Sequence, residues 1–259
     1  MRRTSRALLS FLAAAALVAA AGPSTATAAS SHPWAERVKA AKRFADGRAG
    51  TISFAVVDEE GRLRGDHPGR VHNSASVVKV LFMISYLRQP GVRDDELTAA
   101  ERDLLGPMIK RSDNKRADEI YRRLGEGPLY ALARKAGLDH FTTRPTWGLT
   151  TITAGSQARF FHRIERYIPR RHRRYAMDLL TRIVPSQRWG IPPVAPAGWR
   201  LHYKGGWSGR PHWRINQVML LRKGDRRLSL AILTKDQPSK RYGQVSIQGV
   251  AKRLLRGYR

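Results

Sequence analysis

The chain of 259 residues has room for one large domain or two modest ones, and at 42% hydrophobic residues it can bury a sizeable core, which excludes disordered and fibrous chains. Forty-eight Lys and Arg against 20 Asp and Glu give a net charge of +28, which points to anionic partners, nucleic acid first among them. The absence of cysteine excludes disulfides, thiolate metal sites, cysteine nucleophiles and lipid attachment through an N-terminal Cys.

Arg2, Arg3 and Arg6 precede an apolar run, Ala7 to Ala21, that is short for a bilayer span, and Ala26-Thr27-Ala28 supplies an A-x-A site. This pattern predicts a signal peptide over residues 1–28, with cleavage after Ala28 and a secreted domain over 29–259 that carries +25; an uncleaved anchor is the alternative. Arg2-Arg3 alone does not decide between the general and twin-arginine export routes. Export separates the chain from chromosomal DNA and brings it to anionic envelope polymers and lipid surfaces, so cell-wall association is expected and nucleic acid disfavoured. The basic residues are 37 Arg and 11 Lys, a skew that a GC-rich coding bias produces as readily as phosphate recognition. No later stretch has the length and apolarity of a transmembrane helix.

Helical spacing of Val38, Ala41 and Phe44 predicts a helix over Trp34 to Ala45, followed by a strand over Thr51 to Val57. From Ser76 to about Ile183 the periodicity is helical, with breaks at Gln89-Pro90-Gly91, at Gly125 to Pro128 and at Phe141 to Leu149. Strand patterns return over Trp199 to Lys204, Ile215 to Arg222 and Arg227 to Thr234, the last two joined by a Lys223-Gly224-Asp225 turn, and a last helix spans about Val245 to Tyr258. The expected fold is α+β: one antiparallel sheet flanked by the terminal helices, with a compact helical subdomain, about residues 76–190, inserted.

The helix after the expected cap Asn73-Ser74 is apolar nearly all round, except for Lys79. Burial favours the neutral, proton-accepting form of a lysine. Ser76 lies one turn earlier on the same face, and a hydroxyl beside a desolvated amine is the arrangement of an activated serine nucleophile. The bland alternative is a capping serine and a lysine that reaches solvent. S-x-x-K alone is weak, since Ser112 to Lys115 also satisfies it.

Ser112-Asp113-Asn114 joins two helical patterns and reads alone as a helix cap, while Lys204-Gly205-Gly206 reads alone as a strand end. In the order S-x-x-K, S-D-N, K-x-G, over nearly all of the chain beyond residue 28, the three motifs resemble the class A β-lactamases and penicillin-binding D,D-peptidases. The resemblance implies an acyl-enzyme on Ser76, Lys79 as base, Ser112 as proton relay, Asn114 on the substrate's amide, Lys204 on its carboxylate, and Gly206 allowing close approach of substrate. It also implies an oxyanion hole from the backbone N–H groups of Ser76 and Trp207, and no cofactor.

Three departures qualify the resemblance. The short stretch Asp139 to Leu149 lacks the glutamate that positions the deacylating water, and neither Glu119 nor Glu126 is suitably placed. Gly205 stands where a hydroxyl residue is usual. Ser76 and Ser112 are only 36 residues apart. These features predict a serine hydrolase acting on β-lactam or peptidoglycan amides with slow deacylation. The alternative is a non-catalytic envelope-binding protein that retains the fold. The eight histidines form no H-E-x-x-H or similar spacing, so no metal site is expected. Arg170-Arg171-His172-Arg173-Arg174 is a phosphate-friendly cluster without a nucleic-acid recognition motif. Trp207 and Trp213 are candidates for lining the cleft.

Overall fold

The computed structural model describes residues 33–209 and 212–258; the expected signal peptide lies outside them. Seven strands among these residues are β1 (Thr51–Val57), β2 (Leu63–Asp66), β3 (Val71–Asn73), β4 (Thr151–Thr153), β5 (Arg200–Ser208), β6 (Arg214–Lys223) and β7 (Arg226–Lys235). The α-helices are α1 (Trp34–Asp46), α2 (Lys79–Leu87), α3 (Pro90–Arg93), α4 (Ala99–Lys110), α5 (Asn114–Leu124), α6 (Gly127–Ala136), α7 (Ala154–His162), α8 (Arg173–Thr181) and α9 (Lys240–Leu254). None of the described helices is long and apolar enough to cross a membrane.

Five strands form an antiparallel sheet in the order β2-β1-β7-β6-β5. β1 and β7 are buried almost throughout, as their β-branched and aliphatic sequences require. The β6–β7 hairpin turns on Gly224-Asp225, where Gly224 takes φ +57°, a conformation that favours glycine. Register places Gln217 opposite Ile232 and Val218 opposite Ala231, so alternate residues face opposite layers. Helices α1 and α9 cover the Gln217 side, where Ile247 of α9 lies against Gly190 and Gln217 binds the Trp189 carbonyl. Helix α7 covers the other side, with Ser229 Oγ donating to the Ala158 carbonyl.

Helix α2 is buried along its whole length, with α4, α5 and α6 packed around it. A capping box of Thr98 and Glu101 starts α4, and Asp113 caps α5 by accepting from Arg116 N at 3.0 Å.

Three short strands escape sequence patterning. β2 (Leu-Arg-Gly-Asp) is a half-buried edge, and β3 and β4, three residues each, form a separate antiparallel ribbon. The segment 76–190 therefore includes strand β4, and its helix α7 belongs to the sheet layers. The expected cap at Asn73-Ser74 is absent. Asn73 ends β3, Ser74 Oγ donates to the Ala75 carbonyl, and residues Ala75–Val78 form a 3-10 turn, so the α-helix proper begins at Lys79. Tertiary bonds hold this segment in place of a cap: Ser74 N donates to Thr150 O at 2.7 Å, and the Asn216 amide donates to the Asn73 carbonyl at 2.8 Å.

Candidate active site

Ser76 stands on a strained turn. Ala75 takes φ +45° and Ser112 φ +60°, in the left-handed region that non-glycine residues seldom adopt, at a cost of about 1–3 kcal/mol each. The surroundings enforce the first of these: Asn216, on β6, also donates to Ser74 O at 3.2 Å and accepts from Thr234 N at 3.0 Å, tying the turn to the sheet. Ser76 is buried, with 9% of its surface exposed, on a base that these bonds hold in place.

Strand β5 is the sheet's edge and supplies the opposite wall. Lys204 and Gly206 pair with Val218 and Asn216, and so face the Ser76 turn, whereas Gly205 pairs with Gln217 and faces away. A β-carbon on residue 206 would lie 2.7 Å from Ser76 N and 2.9 Å from Val77 N, so only glycine admits this backbone contact. A β-carbon on residue 205 would lie 2.9 Å from Cζ2 of Trp189. The hydroxyl expected at 205 is thus replaced by an indole that occupies the side chain's space.

Two fully buried lysines converge on one hydroxyl. Lys204 Nζ donates to Ser112 Oγ at 3.0 Å and to Gly205 O at 2.7 Å. Lys79 Nζ has four oxygens within hydrogen-bond distance for its N–H groups: Ser112 O at 2.5 Å, Asn114 Oδ1 at 2.7 Å, Asp113 O at 3.2 Å and Ser112 Oγ at 3.4 Å. Ser76 Oγ is not among its acceptors, so Lys79 rests on the Ser112–Asn114 side of the cleft. Both lone-pair directions of Ser112 Oγ therefore face lysine nitrogens, leaving its own proton to donate elsewhere. Asn114 is exposed, and because its Oδ1 is engaged, its NH₂ is free to donate.

Burial lowers the pKa of Lys79 to about 7, against a partial opposing pull from Asp113 and Asp118. Burial also holds Lys204 well below the ordinary lysine range, and repulsion from Lys79 adds to this. Both amines are thus shifted toward their neutral, proton-accepting forms.

The loop corresponding to residues 139–149 brings an aromatic ring to Lys79. The Trp147 ring centroid lies 4.9 Å from Lys79 Nζ, the ring packs edge-on against Phe82, and its Nε1 donates to Asp118 Oδ1 at 2.6 Å. Glu119 is engaged with Arg122 and Arg123, and Glu126 accepts from Tyr121 Oη at 2.9 Å. Trp207 is half-buried, packs edge-on against Trp189 and carries Lys240 Nζ 4.4 Å above its ring; Trp213 forms an isolated bridge with Gln237.

The structure thus gathers Ser76, Lys79, Ser112, Asn114, Lys204 and Gly206 in one cluster, with Trp207 next to Gly206 on the same strand. Sequence reasoning passed over three contributors. Asn216 was detectable as an amide within an apolar strand, where it requires partners. Trp147 and Asp118 carry no motif and meet Lys79 only through the fold.

A sequence profile described as the beta-lactamase enzyme family matches residues 92–258, a span that holds Ser112, Asn114 and Lys204 and begins after Ser76 and Lys79. Comparison with curated proteins gives no match. A β-lactamase from Sphaerobacter thermophilus superposes with a TM-score of 0.75 at 19% identity, over 86% of this chain and 97% of that one. A class A β-lactamase from Mycobacterium abscessus gives 0.73 at 19% identity, over 86% and 99%. A β-lactamase from Xanthomonas campestris gives 0.72 at 14% identity, over 84% and 96%. At these identities the structures share the fold, and with the profile covering more than half its length, the chain belongs to the beta-lactamase enzyme family.

Proposed function

We propose that this protein is an exported serine hydrolase that forms an acyl-enzyme on Ser76 with β-lactams or peptidoglycan stem peptides. The observation that carries this reading is the Ser112 hydroxyl held between two buried lysines beside a strained serine turn. Neutral Lys79 accepts the Ser76 proton as Oγ attacks the amide carbonyl, and the resulting ammonium remains hydrogen-bonded to the Ser112–Asn114 segment. The backbone N–H groups of Ser76 and Trp207 take the developing oxyanion; a single such donor contributes about 10²–10³ in rate. Ser112 Oγ passes its proton to the departing nitrogen and recovers one from a flanking lysine. Asn114 donates to the substrate's side-chain amide, and the edge of β5 beside Gly206, which has no strand partner on that side, pairs with its backbone. A substrate carboxylate arriving at Lys204 supplies the countercharge that its burial lacks, favouring the ammonium.

Deacylation is expected to be slow. Glu119 and Glu126 are occupied elsewhere, and Trp147, not a carboxylate, faces Lys79. The excess of positive charge favours retention at an anionic envelope.

Intact-mass spectrometry after incubation with a β-lactam tests the reading. A stable adduct of one β-lactam per chain, absent from Ser76→Ala, is the expected result. Unmodified protein with no drug consumed supports the non-catalytic envelope-binding alternative, and rapid steady turnover refutes slow deacylation.

A further inference from the structure

Beyond the Ser76 cleft, a second cationic site lies at the far end of the catalytic helix. Lys79 opens α2 and Arg88 follows its last residue, so nine residues at 1.5 Å each separate the two by about 13 Å. There Arg88, Arg93, Lys135, Arg166, Arg170, Arg171 and Arg173 line a cavity of about 640 Å³, with Asp94 as the single acid. Asp94 is paired with Arg93, both exposed.

The cavity wall is braced from behind. His172, buried between the arginines, binds the Val92 carbonyl at 2.7 Å and fixes the loop to α3. Arg88 Nη1 donates to Tyr167 O at 3.1 Å, and the Tyr167 ring stacks on Phe160 at 5.3 Å. Arg173 lines this cavity and also the adjacent one that holds Glu59, Glu60 and Glu165, yet its buried Nε has no acceptor among the described residues. Arg173 and Arg174 also open α8, whose first turn contains no acid, against the preference of a helix N-terminus for negative charge. Like charges held together on a braced frame with an unsatisfied donor are an arrangement that an anion stabilises.

We infer that this cavity is a binding site for a base-free phosphodiester polymer, with Arg170 and Arg171 as its exposed contacts and Arg173 as its inner donor. Guanidinium groups suit phosphate because their planar forks donate two bonds at once. The lining contains no aromatic ring, whereas single-stranded nucleic acids are held largely by stacking on aromatic side chains. Site spacing along α2 leaves the Ser76 cleft open while the polymer is bound. The inference gives envelope retention a definite location, and it stands or falls separately from acyl transfer.

The test is calorimetric titration with poly(glycerol phosphate) at several salt concentrations. Arg170→Gln with Arg171→Gln should weaken binding about 10-fold or more and reduce the slope of log affinity against log salt by about one to two. The control pair Lys252→Gln with Arg256→Gln alters another basic cavity, between α1 and α9, and should leave affinity within about twofold. Thermal unfolding and β-lactam acylation of both variants should match the parent, which separates loss of this site from loss of fold or of the Ser76 reaction. Equal losses in the two variants, no loss in either, or tighter binding of a single-stranded oligonucleotide would each overturn the inference.

Discussion

Lys79 and Lys204 differ sharply from the arginines at the other end of α2, although both groups contribute to the same positive total. The two lysines are fully buried, lie within hydrogen-bond distance of four and two oxygens respectively, and have pKa values lowered by desolvation, which favours their neutral forms. Arg170 and Arg171 are exposed, and their planar guanidinium groups are suited to attracting anions. Chemical role follows the dielectric surroundings more than the formal charge. Net charge therefore says little about the proposed reaction, because the lysines assigned to it are those least able to remain charged.

The contrast is most severely tested at Lys79. Lys79→Met should reduce β-lactam acylation by about 10²–10⁴-fold in stopped-flow measurements, the span expected for loss of a general base; a loss under tenfold would remove its assigned role. Acylation by the parent should rise with pH and level off above about 7 as the amine becomes neutral. Stability carries the matching sign. The folded-state pKa of Lys79 lies below the unfolded value near 10.5, so the unfolded chain binds the extra proton between these values and stability should rise from pH 7 toward 10.5. Lys79→Met should make that rise shallower in pH-dependent melts, with the remainder carried by Lys204, whose pKa burial also lowers.

Gly206→Ala should reduce acylation by about 10²–10³-fold, comparable to loss of an oxyanion donor, because the new methyl would push the Ser76 turn off β5. Overpacking of about 1–3 kcal/mol should accompany it in thermal melts. Lys204→Met should reduce acylation by about 10–10²-fold for substrates with a carboxylate and much less for a carboxylate-free analogue. The same substitution should raise thermal stability by about 1–2 kcal/mol, since methionine needs no desolvated charge. An equal effect on both substrates would sink the carboxylate assignment. Asp118→Asn, which retains an acceptor for Trp147 Nε1, should lower the pH inflection by a few tenths of a unit, about the effect of one screened surface charge, and high salt should erase the difference.

Legibility in the sequence followed the range of the interactions. β1 was readable to the residue and β5, β6 and β7 to within a few, because alternation or continuous apolarity marks a buried strand locally. Ser112-Asp113-Asn114 was readable twice over, as the cap of α5 and as part of a motif. β3 and β4 were not, since three residues carry no period and the pair forms only when chain segments some 80 residues apart meet. The missing cap at Asn73-Ser74 has the same origin: Thr150 and Asn216 are remote in sequence and supply the bonds that a local side chain would otherwise make. Trp147 is opaque for a different reason. A tryptophan in a short loop looks alike whether it packs on a core edge or covers an amine, and only the position of Phe82 below it distinguishes the two.

The indole of Trp189 against Gly205 also constrains the order of mutation. Gly205→Ser in the parent would drive a side chain into Cζ2 and should be destabilising, whereas the same change after Trp189→Leu enters vacated space. Trp189→Leu alone leaves a void and gains nothing at the cleft. Neither single step is favourable, so a route toward a hydroxyl at residue 205 crosses a fitness valley whichever residue changes first.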